Sequence, residues 1–356
     1  MTKVIVDENI PIPSRFYVPD VEIIRVSGRS LKLEHLREAD ALLVRSVTKV
    51  DRDLLEGSSV KFVASATAGV DHLDMEYLRD RAIPCVYAAG SNAQSVVDYV
   101  FCSLAAIGLD PRERNFGIVG CGQVGGQLYQ ALQKLNAQCL CYDPFLASEQ
   151  QSNLVGLDEV LASEVICLHT PLTVAGQYPT KNMLSYDQLI QVPQGALLIN
   201  AGRGEVINEE DLKRVLKIRP DIRLIFDVWS GEPSIDTDIV DACEIATPHI
   251  AGYSAGAKSR GSQFVFEALF NQFNIPFEPE IVRTENLCNI ESEDWSAALL
   301  EVYDPRRDDA VLRASLSAGG EGFDFLRKNY AHRTEVSEFS SDSSKLQAFG
   351  FLKPEL

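Results

Sequence analysis

The stretch Phe116-Gly117-Ile118-Val119-Gly120-Cys121-Gly122-Gln123-Val124-Gly125 decides the fold. A short apolar run that meets Gly-x-Gly-x-x-Gly reads as a strand, a tight turn and the start of a helix. Leu128, Leu132 and Leu135 follow at spacings of four and three, as one face of a helix requires. A second apolar run, Cys139-Leu140-Cys141-Tyr142, ends at Asp143, 23 residues past Gly120. Alone the glycine pattern is weak. With a strand before it, a helix after it and an acid at this distance, it predicts a dinucleotide-binding βαβ unit.

Each residue of the loop has a separate task. Gly120 makes the turn, Gly122 lets a pyrophosphate approach the backbone, and Gly125 lets the helix pack close to the strand. The helix start offers free N–H groups and a partial positive charge to the phosphates. Asp143 can accept hydrogen bonds from ribose hydroxyls and repel a 2′-phosphate. No arginine or lysine lies in 144–151, so the expected cofactor is NAD rather than NADP.

Outward from this unit, apolar runs alternate with amphipathic stretches, the pattern of an α/β chain with parallel sheets. Lys3–Val6, Ala41–Val44, Phe62–Ala64 and Cys85–Tyr87 read as strands of a first block. Asn92–Ile107 reads as a helix with Val96, Val97, Val100, Phe101 and Leu104 on one face, and Asp110–Arg114 is a polar break. A second block runs from Phe116 to about Ile250. A further helix is expected over Ser254–Phe273, with Phe264, Val265, Ala268 and Leu269 apolar. From Pro276 the composition turns acidic, and 276–356 reads as a small separate unit.

The 356 residues suit two or three domains. Asp and Glu number 51 against 33 Lys and Arg, a formal charge of −18. That balance argues against sequence-independent binding to nucleic acid or to an anionic membrane. The eight cysteines are scattered, without a Cys-x-x-Cys pair, and most lie in apolar runs, so free thiols in a reducing cytoplasm are expected and no metal. No apolar run approaches the roughly 20 residues needed to span a bilayer, and Asp7 comes too early for a signal peptide.

Three later runs end in polar residues at what should be strand C-termini, where ligands bind in parallel sheets. Ala196–Ile199 leads to Asn200-Ala201-Gly202-Arg203-Gly204; Arg223–Phe226 leads to Asp227-Val228-Trp229-Ser230-Gly231-Glu232-Pro233; Glu244–Thr247 leads to Pro248-His249-Ile250-Ala251-Gly252-Tyr253. Arg203, Glu232 and His249 suit oxidation of a 2-hydroxy acid. Arg203 can hold the carboxylate through a two-pronged bond. His249 can take the hydroxyl proton as hydride leaves C2, and Glu232 can orient the imidazole. His169, beside Thr170-Pro171, is expected at a strand end near the cofactor.

On these motifs the chain resembles the NAD-dependent D-isomer-specific 2-hydroxyacid dehydrogenases. The resemblance implies a flavodoxin-like substrate domain (1–91 and 254–275), a Rossmann NAD domain (92–253) and a small α+β C-terminal domain (276–356) through which the chain forms a homodimer. It places the catalytic roles on Arg203, Glu232 and His249. It implies cofactor contacts from Gln123, Val124, Asp143, Thr170, Asp227 and Gly252, besides the glycines, and substrate contacts from Ser46, Thr67 and Tyr253. The stretches Val44–Val50, Ala66–His72, His249–Tyr253 with Gly256–Lys258, Tyr303–Asp309 and Phe325–Tyr330 further liken it to a branch that oxidises 4-phospho-D-erythronate to 2-oxo-3-hydroxy-4-phosphobutanoate in vitamin B6 formation. Arg45 and Lys49 are candidate partners for the substrate phosphate. Two other readings stand beside this one: oxidation of 3-phosphoglycerate, and an NAD-sensing scaffold that binds protein partners.

Overall fold

In the computed structural model, which describes residues 1–278, 288–317 and 322–353, the chain forms two units: Met1–Asn92 with Ser254–Arg283, and Ala93–Tyr253 with Thr284–Leu356. The first holds a parallel sheet of β1 (Thr2–Asp7), β2 (Val21–Val26), β3 (Ala41–Val44), β4 (Phe62–Ser65) and β5 (Cys85–Tyr87), in the order β2-β1-β3-β4-β5. This is the flavodoxin-like order, in which the strand order reverses between β1 and β3 and a ligand crevice opens at their C-terminal ends. β3 and β4 are buried on both faces, which is why they read as unbroken apolar runs. β2 went unread because Glu22 and Arg25 interrupt it. It is an edge strand, and charge at an edge deters pairing with other chains.

The helix Ala255–Gln272 returns to this sheet. Its buried face is Val265, Phe266, Leu269 and Phe270, packed with Phe16 and Phe62. Phe264, apolar in the same helix, is 41% exposed. The 265/266/269/270 spacing turns it to the flank. Ser254 caps this helix by accepting from the Ala257 N–H at 2.9 Å.

The second unit holds β6 (Asn115–Val119), β7 (Gln138–Tyr142), β8 (Val165–Leu168), β9 (Leu197–Asn200), β10 (Arg223–Phe226) and β11 (Ile245–Ala246), all parallel, in the order β11-β10-β9-β8-β6-β7. Here the reversal falls between β6 and β8, directly under the glycine loop. The helix Ala93–Ala106 is buried almost all round, not on one face only. One side meets the sheet's apolar cluster. The other is covered by the C-terminal helix Trp295–Val302 and by Phe349, whose ring meets Phe101 edge-on at 5.5 Å. A helix apolar on all sides is stable only when so enclosed. The C-terminal residues add the helices Pro305–Ser317 and Gly322–Lys328 and a two-stranded parallel pair, β12 (Cys288–Asn289) with β13 (Phe339–Ser340). Among the described residues no helix is long and apolar enough to cross a membrane.

Candidate active site

The glycine loop has the geometry that its sequence requires. Gly120 adopts φ +87°, and a Cβ there would press on the Thr170 backbone at 2.9 Å. A Cβ at Gly125 would fall on the Gly120 carbonyl, whereas one at Gly122 would meet open space. Gly122 caps the helix Gln123–Lys134, so free N–H groups of that first turn face the open side. Gln123 and Val124 stand at its start. Asp143, just past β7, accepts the Cys121 N–H at 3.0 Å and the Phe145 N–H at 3.1 Å.

Beside Gly120, the Thr170 hydroxyl is buried with no partner among the described residues. Both ring nitrogens of the neighbouring His169 are likewise unpartnered, and burial pushes that imidazole down to about 4. A buried hydroxyl without a partner, next to a glycine that leaves space and a helix N-terminus, fits a dinucleotide lying across the loop.

β9, β10 and β11 end in register: Asn200 pairs with Phe226, and Phe226 with Ala246. The three polar segments therefore leave from one edge of the sheet. Arg203 starts the turn Gly204–Val206, with its carbonyl held by the Asn200 amide at 3.1 Å. Glu232 accepts the Trp229 N–H at 3.0 Å through Oε1 and meets His249 Nδ1 at 2.7 Å through Oε2. A carboxylate only accepts, so Nδ1 carries the proton and Nε2 keeps its lone pair for a substrate hydroxyl. Burial drives the Glu232 carboxyl up, but the charge and hydrogen bond of His249 and the charge of Arg327 outweigh it, and the group lies below its ordinary range.

Asp227 stands beneath this pair, 1% exposed. Its carboxylate accepts the Thr247 hydroxyl at 2.7 Å and the N–H groups of Ile250 and Ala251 at 2.8 and 2.9 Å. The Thr247 proton is committed to Asp227, so the Tyr99 hydroxyl donates to Thr247, at 2.9 Å. Asp227 thus shapes the segment that carries His249, which sits at φ +56°, and Gly252. Tyr253 follows, its ring stacked on His332 at 6.0 Å.

In the first unit, Ser46 is exposed just past β3, and Thr67 lies just past β4, where the buried Ser65 hydroxyl holds it at 2.9 Å. Arg45 donates to the Asp7 carboxylate at 2.9 Å, at the β1/β3 reversal. Lys49 does not join it: it is 81% exposed and pairs with Asp51 at 2.7 Å. Lys258, on the returning helix, instead interacts through charge with Arg45 and Asp7. Burial lowers its ammonium first; the Arg45 and Arg25 charges lower it further, and only Asp7 opposes them. The sequence places Lys258 in a family-like stretch but gives it no role, because a single lysine in a helix shows no task until the fold sets it in its surroundings. Arg327 has no role there for the same reason. Phe323 and Arg327 share a face four residues apart, a weak hint only.

A hydride-transferring dehydrogenase of 2-hydroxy acids is the class that this fold and site define. Residues 95–251 match the D-isomer specific 2-hydroxyacid dehydrogenase, NAD binding domain, and residues 277–349 match a domain of unknown function (DUF3410). The chain is 43% identical to the erythronate-4-phosphate dehydrogenase of Teredinibacter turnerae, over 97% of this chain and 96% of that one. It is 42% identical to that of Pseudomonas entomophila, over 94% and 92%. In fold it is similar to a 3-phosphoglycerate dehydrogenase of Entamoeba histolytica solved with NAD, at TM-score 0.66 and 23% identity, over 79% of this chain and 99% of that one. The chain belongs to the D-isomer-specific 2-hydroxyacid dehydrogenases and, among them, to the erythronate-4-phosphate dehydrogenases. It is an oxidoreductase, and its cofactor is NAD.

Proposed function

We propose that this chain oxidises 4-phospho-D-erythronate at C2 to 2-oxo-3-hydroxy-4-phosphobutanoate, in vitamin B6 formation. The observation that carries the chemistry is the 2.7 Å contact between His249 Nδ1 and Glu232. It leaves Nε2 of His249 as the base for the C2 hydroxyl, while Glu232 stabilises the imidazolium that forms. Arg203 binds the substrate carboxylate and so fixes the C2 hydrogen in direction. Bound NAD supplies the nicotinamide ring that accepts hydride from C2. The hydroxyl proton goes to His249, the C2 carbonyl forms, and the proton later passes to solvent. Gly120, Gly122, Gly125, Gln123, Val124, Thr170 and Gly252 hold the cofactor, and Asp143 holds its ribose. Asp227 contributes by holding the backbone of Ile250 and Ala251.

The acceptors of a phosphorylated sugar acid are assigned to Ser46, Thr67 and Tyr253, with the phosphate drawn by Arg45 and Lys258. The charges of Arg25 and Arg45 that act on Lys258, opposed there by Asp7, support an anion at that place. The exposed apolar side chains Val311 and Phe325 of the C-terminal helices support a homodimer through 276–356. The cysteines among the described side chains are free, in keeping with a cytoplasmic protein.

The test is formation of the reduced cofactor with 4-phospho-D-erythronate and 3-phospho-D-glycerate side by side. A large excess of kcat/KM for the four-carbon acid is expected. A preference for the three-carbon acid overturns the substrate. Turnover of neither, by a folded protein that binds NAD, overturns the enzyme reading in favour of a scaffold.

A further inference from the structure

We propose that Arg327, on the C-terminal helix Gly322–Lys328, is a positioning residue for the His249–Glu232 pair: it shares the Glu232 carboxylate with His249 and so limits how tightly that carboxylate holds a protonated imidazole. The inference rests on the reading of His249 as the base.

The helix is anchored by Phe323, which is 1% exposed. Arg327 lies one turn later on the same side. Its Nη1 is 3.8 Å from Glu232 Oε2, the oxygen that His249 Nδ1 meets at 2.7 Å. Its Nη2 donates to the Tyr253 hydroxyl at 3.3 Å, and its guanidinium lies 5.9 Å from the Tyr253 ring centre and 5.8 Å from that of Phe323. One guanidinium thus touches the carboxylate that orients the base and the tyrosine that follows the base in sequence. Among the described residues, Glu232 at Nδ1 and the buried Asp227 also act on His249 through charge, while Tyr253 acts on Arg327.

The physical consequence follows from charge. A carboxylate that faces His249 alone raises the imidazole's proton affinity by the full pair interaction. A second cation on the same oxygen draws on that charge and repels the imidazolium. Oxidation requires His249 to start neutral and to release its proton after each turnover. Arg327 therefore draws on the charge that Glu232 offers to His249. The C-terminal segment, matched above only to a domain of unknown function, thereby acts on the chemistry.

The experiment compares whole-chain wild type, Arg327→Met, Arg327→Lys and His249→Gln in steady-state kinetics over pH, with NAD and 4-phospho-D-erythronate. Arg327→Met is expected to lower kcat about tenfold with little change in KM. It should also move the acid limb of the kcat/KM profile upward by about half a pH unit to one unit. Arg327→Lys restores the limb but only part of kcat. An unchanged limb with a raised KM makes Arg327 a substrate contact and overturns the proposal. An unchanged limb with normal kcat and a lowered Tm makes it merely structural and overturns it equally. If His249→Gln keeps the wild-type rate, it is the reading of His249 as base that fails. If that variant is inactive while Arg327→Met matches wild type throughout, only the Arg327 assignment fails.

Discussion

Arg333 donates through Nη1 to the Ile250 carbonyl at 2.8 Å. The same guanidinium reaches the carbonyls of Ala251 and of Ser95, while Asp227 holds the N–H groups of Ile250 and Ala251. The two residues after His249 are thus gripped on both their donor and acceptor sides by a buried anion and a buried cation. Backbone groups buried this deeply need such partners.

Arg333→Met removes the acceptors' partners and leaves Asp98 and Glu335 nearby without that cation. The expected loss is about 2–4 kcal/mol of stability by denaturant titration. Because the released segment carries His249, kcat falls as well, while NAD affinity measured by fluorescence titration stays within about threefold of wild type. A variant with full stability and full kcat would show that the grip is dispensable.

Much of this was legible in the sequence where the signal is local. The glycine loop, its flanking strands and the acid at Asp143 lie within one short segment, and each glycine's task follows from what a Cβ would strike. The strand ends before Arg203, Glu232 and His249 were legible because strands buried on both faces read as unbroken apolar runs. What was not legible depends on distant pairing. Asp227 read as a cofactor contact; that its carboxylate also accepts from Thr247, Ile250 and Ala251 is something only the fold delivers. Arg327 and Arg333 act more than 70 residues from their partners in sequence, and no spacing rule reaches that far. β2 was hidden by the charges that suit it to an edge.

Replacing Glu232 by Gln keeps the shape but turns an acceptor-only group into an amide that can present a donor to Nδ1. The wrong tautomer, or an unstabilised imidazolium, should then lower kcat by about a hundredfold or more, with KM for NAD little changed. Circular dichroism would confirm an intact fold. A kcat within twofold of wild type would remove Glu232 from the reaction.

Asp143 should set the choice between NAD and NADP. Asp143→Ala removes the negative charge that faces a 2′-phosphate, so the ratio of kcat/KM for NADP over NAD is expected to rise about tenfold. Asp143→Asn serves as the control, since it keeps an acceptor for the Cys121 N–H. An unchanged ratio in both variants would assign the selectivity elsewhere.

Stability should also depend on pH through Asp98, buried on the helix Ala93–Ala106. Burial pushes its carboxyl up to about 7, against the Val336 N–H at 2.9 Å and the Gln94 amide at 2.7 Å. An acid whose folded pKa lies above its unfolded value binds more protons when folded. Its contribution is therefore favourable at low pH and is lost as pH rises from about 4 to 7. The loss is on the order of 4 kcal/mol, one proton over about three pH units. Asp98→Asn should flatten the stability–pH curve across that window in denaturant titrations. A curve identical to wild type would mean that Asp98 is ionised throughout.

The two lysines of the first unit give opposite expectations for substrate affinity. Lys49 is 81% exposed and already paired with Asp51, so Lys49→Met should leave KM for 4-phospho-D-erythronate unchanged. Lys258 lies half-buried among Arg45, Arg25 and Asp7, and the neighbouring cations lower its ammonium pKa after burial has already done so. A dianionic phosphate would relieve that crowding by bringing negative charge to the cations. Lys258→Met is therefore expected to raise KM about tenfold or more with kcat nearly unchanged, the signature of binding common to ground and transition states. Inorganic phosphate, as a competitor of the substrate, should lose potency in the same variant. If Lys49→Met rather than Lys258→Met raises KM, the phosphate lies on the outer side of the loop after β3, and the cationic cluster around Asp7 serves only to hold that loop.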